Sequence, residues 1–260
     1  MNPRKSLSVL AALLLGCASM HAASLETLHA SCFISAGEHD GQFRLRIEDD
    51  SCKGDHHCGF FSNDSLNRLS GIKLADLSRE GAQLTAVLHA EAGTFTCAGA
   101  VHEHVLGGSS TFTPDSAFVD RMNRMGFTGL DSEKLQAYAL LDVESAWAES
   151  LKIAHVQGLS IDNLLALRIF HVDPAWVGGF TALGYDVPNA DQLVALKVQG
   201  VNAEEVRQIR NLGLQPSLDE LVQIRIFHIT PDFVRRMQAR GFHDLTIAKL
   251  VQIKIFKIDE

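Results

Sequence analysis

With 260 residues and 46% apolar content, the chain can bury one or two ordinary cores and is neither disordered nor fibrous in composition. Its formal net charge of −8 argues against nucleic acid as a general partner, because coating phosphate needs an excess of Lys and Arg. Beyond the leader, no apolar run approaches the ~20 residues that a membrane helix needs, so no transmembrane span is expected.

Residues 1–23 read as a signal peptide. Arg4 and Lys5 form a short basic start, residues 7–15 are an apolar run, and small residues come next, with cleavage at Ala22 or Ala23. A second reading stands beside it. Leu14-Leu15-Gly16-Cys17 resembles a lipobox, in which Cys17 is lipidated and tethers the mature protein to a membrane. Either way the expected location is outside the cytoplasm: periplasmic or secreted, or a tethered envelope lipoprotein.

Residues 24–113 form the next segment, with the remaining cysteines: Cys32, Cys52, Cys58 and Cys97. An even number in an exported chain implies disulfides, and four cysteines allow three pairings. The expected pairing closes a tight loop between Cys52 and Cys58 and joins the two ends of the segment through Cys32 and Cys97. Short alternating runs at 42–47, 72–77, 83–89, 94–101 and 110–112, punctuated by Gly, predict a small antiparallel β domain. Residues 107–113 are expected to join it directly to the segment that starts at residue 114.

The Cys/His-rich stretch is the one place that suggests metal chemistry. Cys52, His56, His57 and Cys58, with His102 and His104, could supply the sulfur and imidazole donors that zinc takes. The usual pair of short ligand spacings is missing, and an oxidising compartment favours a disulfide. His102-Glu103-His104 is not the metalloprotease helix motif, whose histidines are four apart. It is expected to be a strand with both histidines on one solvated face. No phosphate loop or nucleophile elbow is present. A non-enzymatic protein without a cofactor is therefore expected, with a metal-binding protein or metal-dependent enzyme centred on this Cys/His-rich segment as the alternative.

Residues 114–260 repeat. Five segments align, 115–143, 144–172, 173–201, 202–229 and 230–258, the fourth one residue short. Each predicts two helices. Asp115, Glu144, Asp173, Asn202 and Thr230 open the first, four of them good N-caps, and Gly126, Gly184, Gly213 and Gly241 end it. Asp131, Ser160, Asn189, Ser217 and Thr246 open the second, with capping-box spacing at Asn189/Gln192 and Ser217/Glu220. Residues 221–227 alternate and are β-branched enough for a strand, but the repeated cap decides for a helix with Leu221, Val222, Ile226 and Ile229 inward. Stacking of such units predicts an α-solenoid, and the whole chain an α+β protein: a disulfide-braced antiparallel β domain, then five helix hairpins.

Two further repeated positions stand out. Phe118, Trp147, Trp176 and Phe233 share one position, expected in the core, where the fourth unit has Glu205 instead, which suggests a local opening or contact. Arg168, Lys197, Arg225 and Lys254 form a basic ladder. It reads either as cations near helix C-termini or as a stripe that meets an acidic partner or anionic lipid, with Glu205 as a further contact. Residues 202–258 carry 9 basic and 6 acidic side chains against 6 and 12 in residues 24–113. Val251, Ile253, Ile255 and Ile258 form an apolar edge through which self-association is conceivable.

The run Thr230-Pro-Asp-Phe-Val-Arg-Arg-Met-Gln-Ala-Arg-Gly-Phe-His-Asp-Leu, followed by Leu250-Val-Gln-Ile-Lys-Ile-Phe, resembles repeats of bacterial envelope proteins. Some of these follow membrane zinc peptidases of the β-lactam-sensor type, and others stand alone behind a signal peptide. Ala92-Gly-Thr-Phe-Thr-Cys-Ala-Gly and Gly108-Ser-Ser-Thr-Phe-Thr-Pro resemble the β segment that often precedes such repeats. The resemblance implies a protein-interaction module, an accessory to an envelope sensor or regulator. It does not extend to peptidase activity, because the membrane helices and zinc motif of those enzymes are absent here.

Overall fold

Alternation of apolar with small polar residues lays the first part of the chain out as a sheet. A computed structural model describes residues 25–38, 41–48, 59–62 and 68–258. Its strands are β1 (Leu28–Ala36), β2 (Phe43–Glu48), β3 (Gly59–Ser62), β4 (Leu69–Ser70), β5 (Gln83–Ala90), β6 (Gly93–His102) and β7 (Val105–Pro114). They form one seven-stranded sheet in the order β3-β2-β1-β7-β6-β5-β4, every pair antiparallel. Two meanders are thus joined where β1 lies beside β7.

The inward face carries Cys32, Ile34, Leu45, Leu88, Phe95, Cys97, Leu106 and Phe112, all buried. Cys32 and Cys97 form the disulfide that the sequence leads one to expect. They sit on β1 and β6, with β7 between them. Two strand spacings across a flat sheet would separate them by ~9.5 Å, yet their Cα atoms are 6.0 Å apart. The sheet is therefore strongly curled at β7. Glycine permits the bend: a Cβ on Gly99 would stand 2.0 Å from the Gly107 carbonyl oxygen, and one on Gly108 equally close to that of Ala98.

Several strand boundaries differ from the sequence reading. The alternating runs give no sign of β1. Residues 72–77, expected as a strand, contain a 3₁₀ turn (Leu74–Ser78) that buries Leu77. β7 is a ten-residue strand rather than 110–112 plus a connector, and it ends at Pro114, one residue before the N-cap Asp115. His102-Glu103-His104 is no straight strand either. Glu103 and His104, at φ 48° and 66°, are the two central residues of a tight β6–β7 hairpin, where both must be left-handed.

The ten helices among the described residues come in pairs: α1 (Ser116–Arg124) with α2 (Ser132–Leu141), α3 (Ser145–Ile153) with α4 (Ile161–Ile169), α5 (Pro174–Thr181) with α6 (Ala190–Val198), α7 (Ala203–Arg210) with α8 (Leu218–Ile226), and α9 (Pro231–Ala239) with α10 (Ile247–Ile255). Side chains of Asp115, Asp173, Asn202 and Thr230 accept the N3 amide of the first helices, and Glu144 does not. All five predicted caps of the second helices are made, and both capping boxes close. Residues 221–226 are helical and Phe227 is the C-cap, in keeping with the cap at Ser217.

Helix ends obey the same repeat. Gly126, Gly184, Gly213 and Gly241 are left-handed, and the second unit puts His155 at that position with φ 60°. After the second helices Asp142, His171, Gly200, His228 and Lys257 are left-handed in turn. Second helices pack in a row, α2 on α4, α4 on α6, α6 on α8 and α8 on α10. At the near end α2 also lies against β5, β6 and β7. One core runs from the sheet into the third unit, and a second continues from there through the fifth.

Among the described residues, Glu91 and Arg68 reach from the sheet segment to the helices. Glu91, in the β5–β6 turn, accepts the Ser145 amide at 2.7 Å and the Ser145 hydroxyl at 2.5 Å, and pairs with Arg121 at 2.8 Å. It thereby caps α3, the helix whose own N-cap residue does not. Partial burial alone would raise this carboxyl, but the Ser145 bonds and the Arg121 guanidinium outweigh it and hold it below the usual carboxylate range. Arg68 donates to the Ala139 and Leu140 carbonyls at the end of α2, at 3.1 and 3.2 Å, and pairs with Asp142 at 2.7 Å.

Candidate functional site

The basic ladder is engaged within the array. In the second unit the Arg168 guanidinium lies 5.6 Å from the Trp147 ring centre, and its Nε donates to the Leu141 carbonyl of the preceding unit at 3.0 Å. It also meets Asp142, the residue that Arg68 holds from the other side. Lys197 stands 4.5 Å from the Trp176 ring and Lys254 4.1 Å from Phe233. The fourth unit has no aromatic there, and Arg225 instead pairs with Glu205 at 2.9 Å while its Nε donates to the Gln199 carbonyl. Each cation thus meets whatever occupies the fourth position of its own unit. Arg168 and Arg225 also reach carbonyls at the C-terminal end of the second helix of the preceding unit, where the dipole favours them.

First helices are tied in a parallel way. Lys152 donates to the Met125 carbonyl, Arg210 to Leu183, and Gln238 to Leu212 at 3.2 Å. These donors lie one repeat beyond their acceptors, so units two, four and five are pinned to the unit before them. Trp147 and Trp176, expected in the core, are only partly buried, whereas Phe118 and Phe233 are buried.

The second helices also expose a repeated apolar position. Each second helix buries the positions of Leu164 and Leu167, Leu193 and Leu196, Leu221 and Ile224, or Leu250 and Ile253. The residue after the ladder cation points away from that core: Ile169 is 49% exposed, Val198 52%, Ile226 50% and Ile255 55%. Ile226 therefore does not face inward as predicted; Ile224 takes that place. Along the expected apolar edge, Ile253 is buried, Val251 half-buried, and Ile255 and Ile258 exposed. In the first unit the matching residue, Leu140, is only 3% exposed, since α2 is held between the sheet and α4.

An acidic row runs beside this apolar one. Glu133, Asp162, Asp191 and Asp219 occupy one repeat position in the first turn of α2, α4, α6 and α8, and all are exposed. Asp162 is shared with Lys134 at 2.7 Å. Sequence reasoning missed both rows, although each is visible as a repeat position once the units are aligned.

His102 and His104 are exposed in the hairpin turn. The Glu80 carboxylate accepts a hydrogen bond from His102 Nδ1 at 2.6 Å, which raises the imidazole and lowers the carboxyl. Among the described residues no group of three or more His, Cys, Asp or Glu is placed to hold a metal ion. Cys17, Cys52, His56, His57 and Cys58 lie outside the described residues. No described helix is long and apolar enough to cross a membrane. No family model, curated protein or solved structure matches the chain.

Proposed function

We propose that this chain is an extracytoplasmic, non-enzymatic interaction module. Its five two-helix units form an α-solenoid, the extended outer face of which binds a protein or peptide of the cell envelope, while the sheet closes the near end. The observation that carries this reading is the exposed Ile/Val position repeated in four consecutive units. A contiguous apolar row across parallel helices is the kind of surface that solenoids offer to partners. The Cys32–Cys97 disulfide supports export, since such bonds persist in oxidising compartments. A role beside an envelope sensor or regulator rests on the resemblance of the repeats alone.

The experiment is affinity capture from envelope extracts with the oxidised chain, in parallel with a version carrying serine at the four exposed positions. A partner retained by the first and lost by the second supports the reading. Recovery of no partner that depends on the repeats would sink it.

A further inference from the structure

The outer face has a definite charge and spacing, and together these select a partner chemistry. On each of α4, α6 and α8 the acidic residue precedes the exposed apolar one by seven positions: Asp162 and Ile169, Asp191 and Val198, Asp219 and Ile226. Seven residues of helix rise ~10.5 Å and make almost two full turns, so both side chains stand on one ridge. The face thus carries two parallel rows ~10 Å apart, one acidic and one apolar. Packed helix axes lie ~8–10 Å apart, so each row repeats at about that step.

We infer that this face takes a basic amphipathic helix laid across the second helices, its apolar side on the Ile/Val row and its Lys or Arg side chains on the Asp row. This rests on the reading of the array as a binding module and names what it binds. A helix is ~10–12 Å wide, enough to touch both rows at once. Its residues at i, i+7 and i+14 recur every ~10.5 Å, close to the step of the rows, whereas an extended strand repeats on one face every ~6.7 Å. The acidic row chooses the sign: it attracts a cationic edge and repels anionic headgroups, which makes a lipid surface the poorer fit. Of the ladder cations, Arg168 and Arg225 are paired with Asp142 and Glu205, and Lys197 and Lys254 are turned onto the Trp176 and Phe233 rings, away from the Asp row.

The probe is a labelled synthetic 21-residue helix with leucine at every seventh position and lysine beside it, compared with a twin in which glutamate replaces lysine. Both are titrated against the oxidised chain by fluorescence anisotropy at low and high salt. The lysine peptide should bind at least about ten-fold more tightly than its twin and weaken with salt. The pair Ile226→Ser and Ile255→Ser should cost at least about ten-fold, and the pair Asp191→Asn and Asp219→Asn about five-fold, with melting temperature unchanged. Equal binding of the two peptides, or indifference to both pairs of substitutions, overturns the assignment. So does preferential capture by anionic vesicles, or a dimer of the chain alone that the Ile226→Ser and Ile255→Ser pair breaks. If an envelope partner is still retained by the chain carrying both pairs, the binding module stands and this face is the wrong one.

Discussion

Replacing Glu91 with alanine removes one carboxylate and three contacts, and it does so at the junction of sheet and helices. The lost cap on α3 costs about 1 kcal/mol, as N-cap removal does elsewhere. The hydrogen bond from the Ser145 hydroxyl to a charged acceptor adds about 1 kcal/mol. The ion pair with Arg121 adds less, because the two side chains are 37% and 28% exposed and solvent screens them. The expected total is about 2–3 kcal/mol, which for a chain of this size lowers the melting temperature by roughly 5–10 °C. Urea unfolding followed by circular dichroism measures it. Glu91→Gln keeps an acceptor for the Ser145 amide and should cost about half as much. Glu144→Ser, which gives α3 a cap of its own, should recover about 1 kcal/mol of the loss. An alanine variant within about 0.5 kcal/mol of the parent would show that the anchor is incidental and refute the reasoning.

The same carboxyl sets an acid limit. Because folding holds Glu91 below its ordinary value of 4.5, its stabilisation is complete above that value and is lost as pH falls through the lower folded one; urea midpoints of Glu91→Gln should converge with those of the parent there. For His102 the sign is opposite: its raised folded value makes the pair with Glu80 complete below the ordinary 6.5 and lost as pH rises through the raised one, so Glu80→Gln should move its NMR titration midpoint down. Replacing Cys32 and Cys97 by alanine opens a loop between residues 65 apart and should cost about 4 kcal/mol by chain entropy, read by urea unfolding; a cost under about 1 kcal/mol would count against the curl being held by the bond. Arg225→Ala removes both the Glu205 pair and the Gln199 bond, and a loss of about 1–2 kcal/mol is expected, against about zero if the ladder is only a solvated stripe.

Caps and periodicity are legible in the sequence because they are local. A side-chain oxygen three residues before an orphan amide announces Asp131, Ser160, Asn189, Ser217 and Thr246 without any knowledge of tertiary structure. Left-handed helix ends are legible only where glycine marks them. Asp142, His155, His171, His228 and Lys257 adopt the same conformation; Asp and His tolerate it better than most side chains, but that preference is too weak to mark a helix end without the repeat. The alternation in residues 72–77 is a false strand signal, since a 3₁₀ turn can bury Leu77 as well. Glu91 and Arg68 act on residues 54 and 71 positions away, and no pattern along the chain encodes such pairs. The candidate site is half visible. The cations stand out, but their partners are the fourth residue of their own unit and carbonyls that stacking brings near, so the side on which the apolar residue beside each cation lies cannot be read from one unit alone.

The division of the interior into two cores gives the molecule a mechanical polarity. Units one and two share their interior with a cross-linked sheet and are moored to it by Glu91 and Arg68, the third is divided between the two cores, and the last two units lean on one another and on the third. Tension drawn along the array should therefore peel helices off in order from the far end, and the sheet should hold until last. A protein bound across α6 to α10 would splint the weaker stretch, so occupancy of that face would be felt as stiffness.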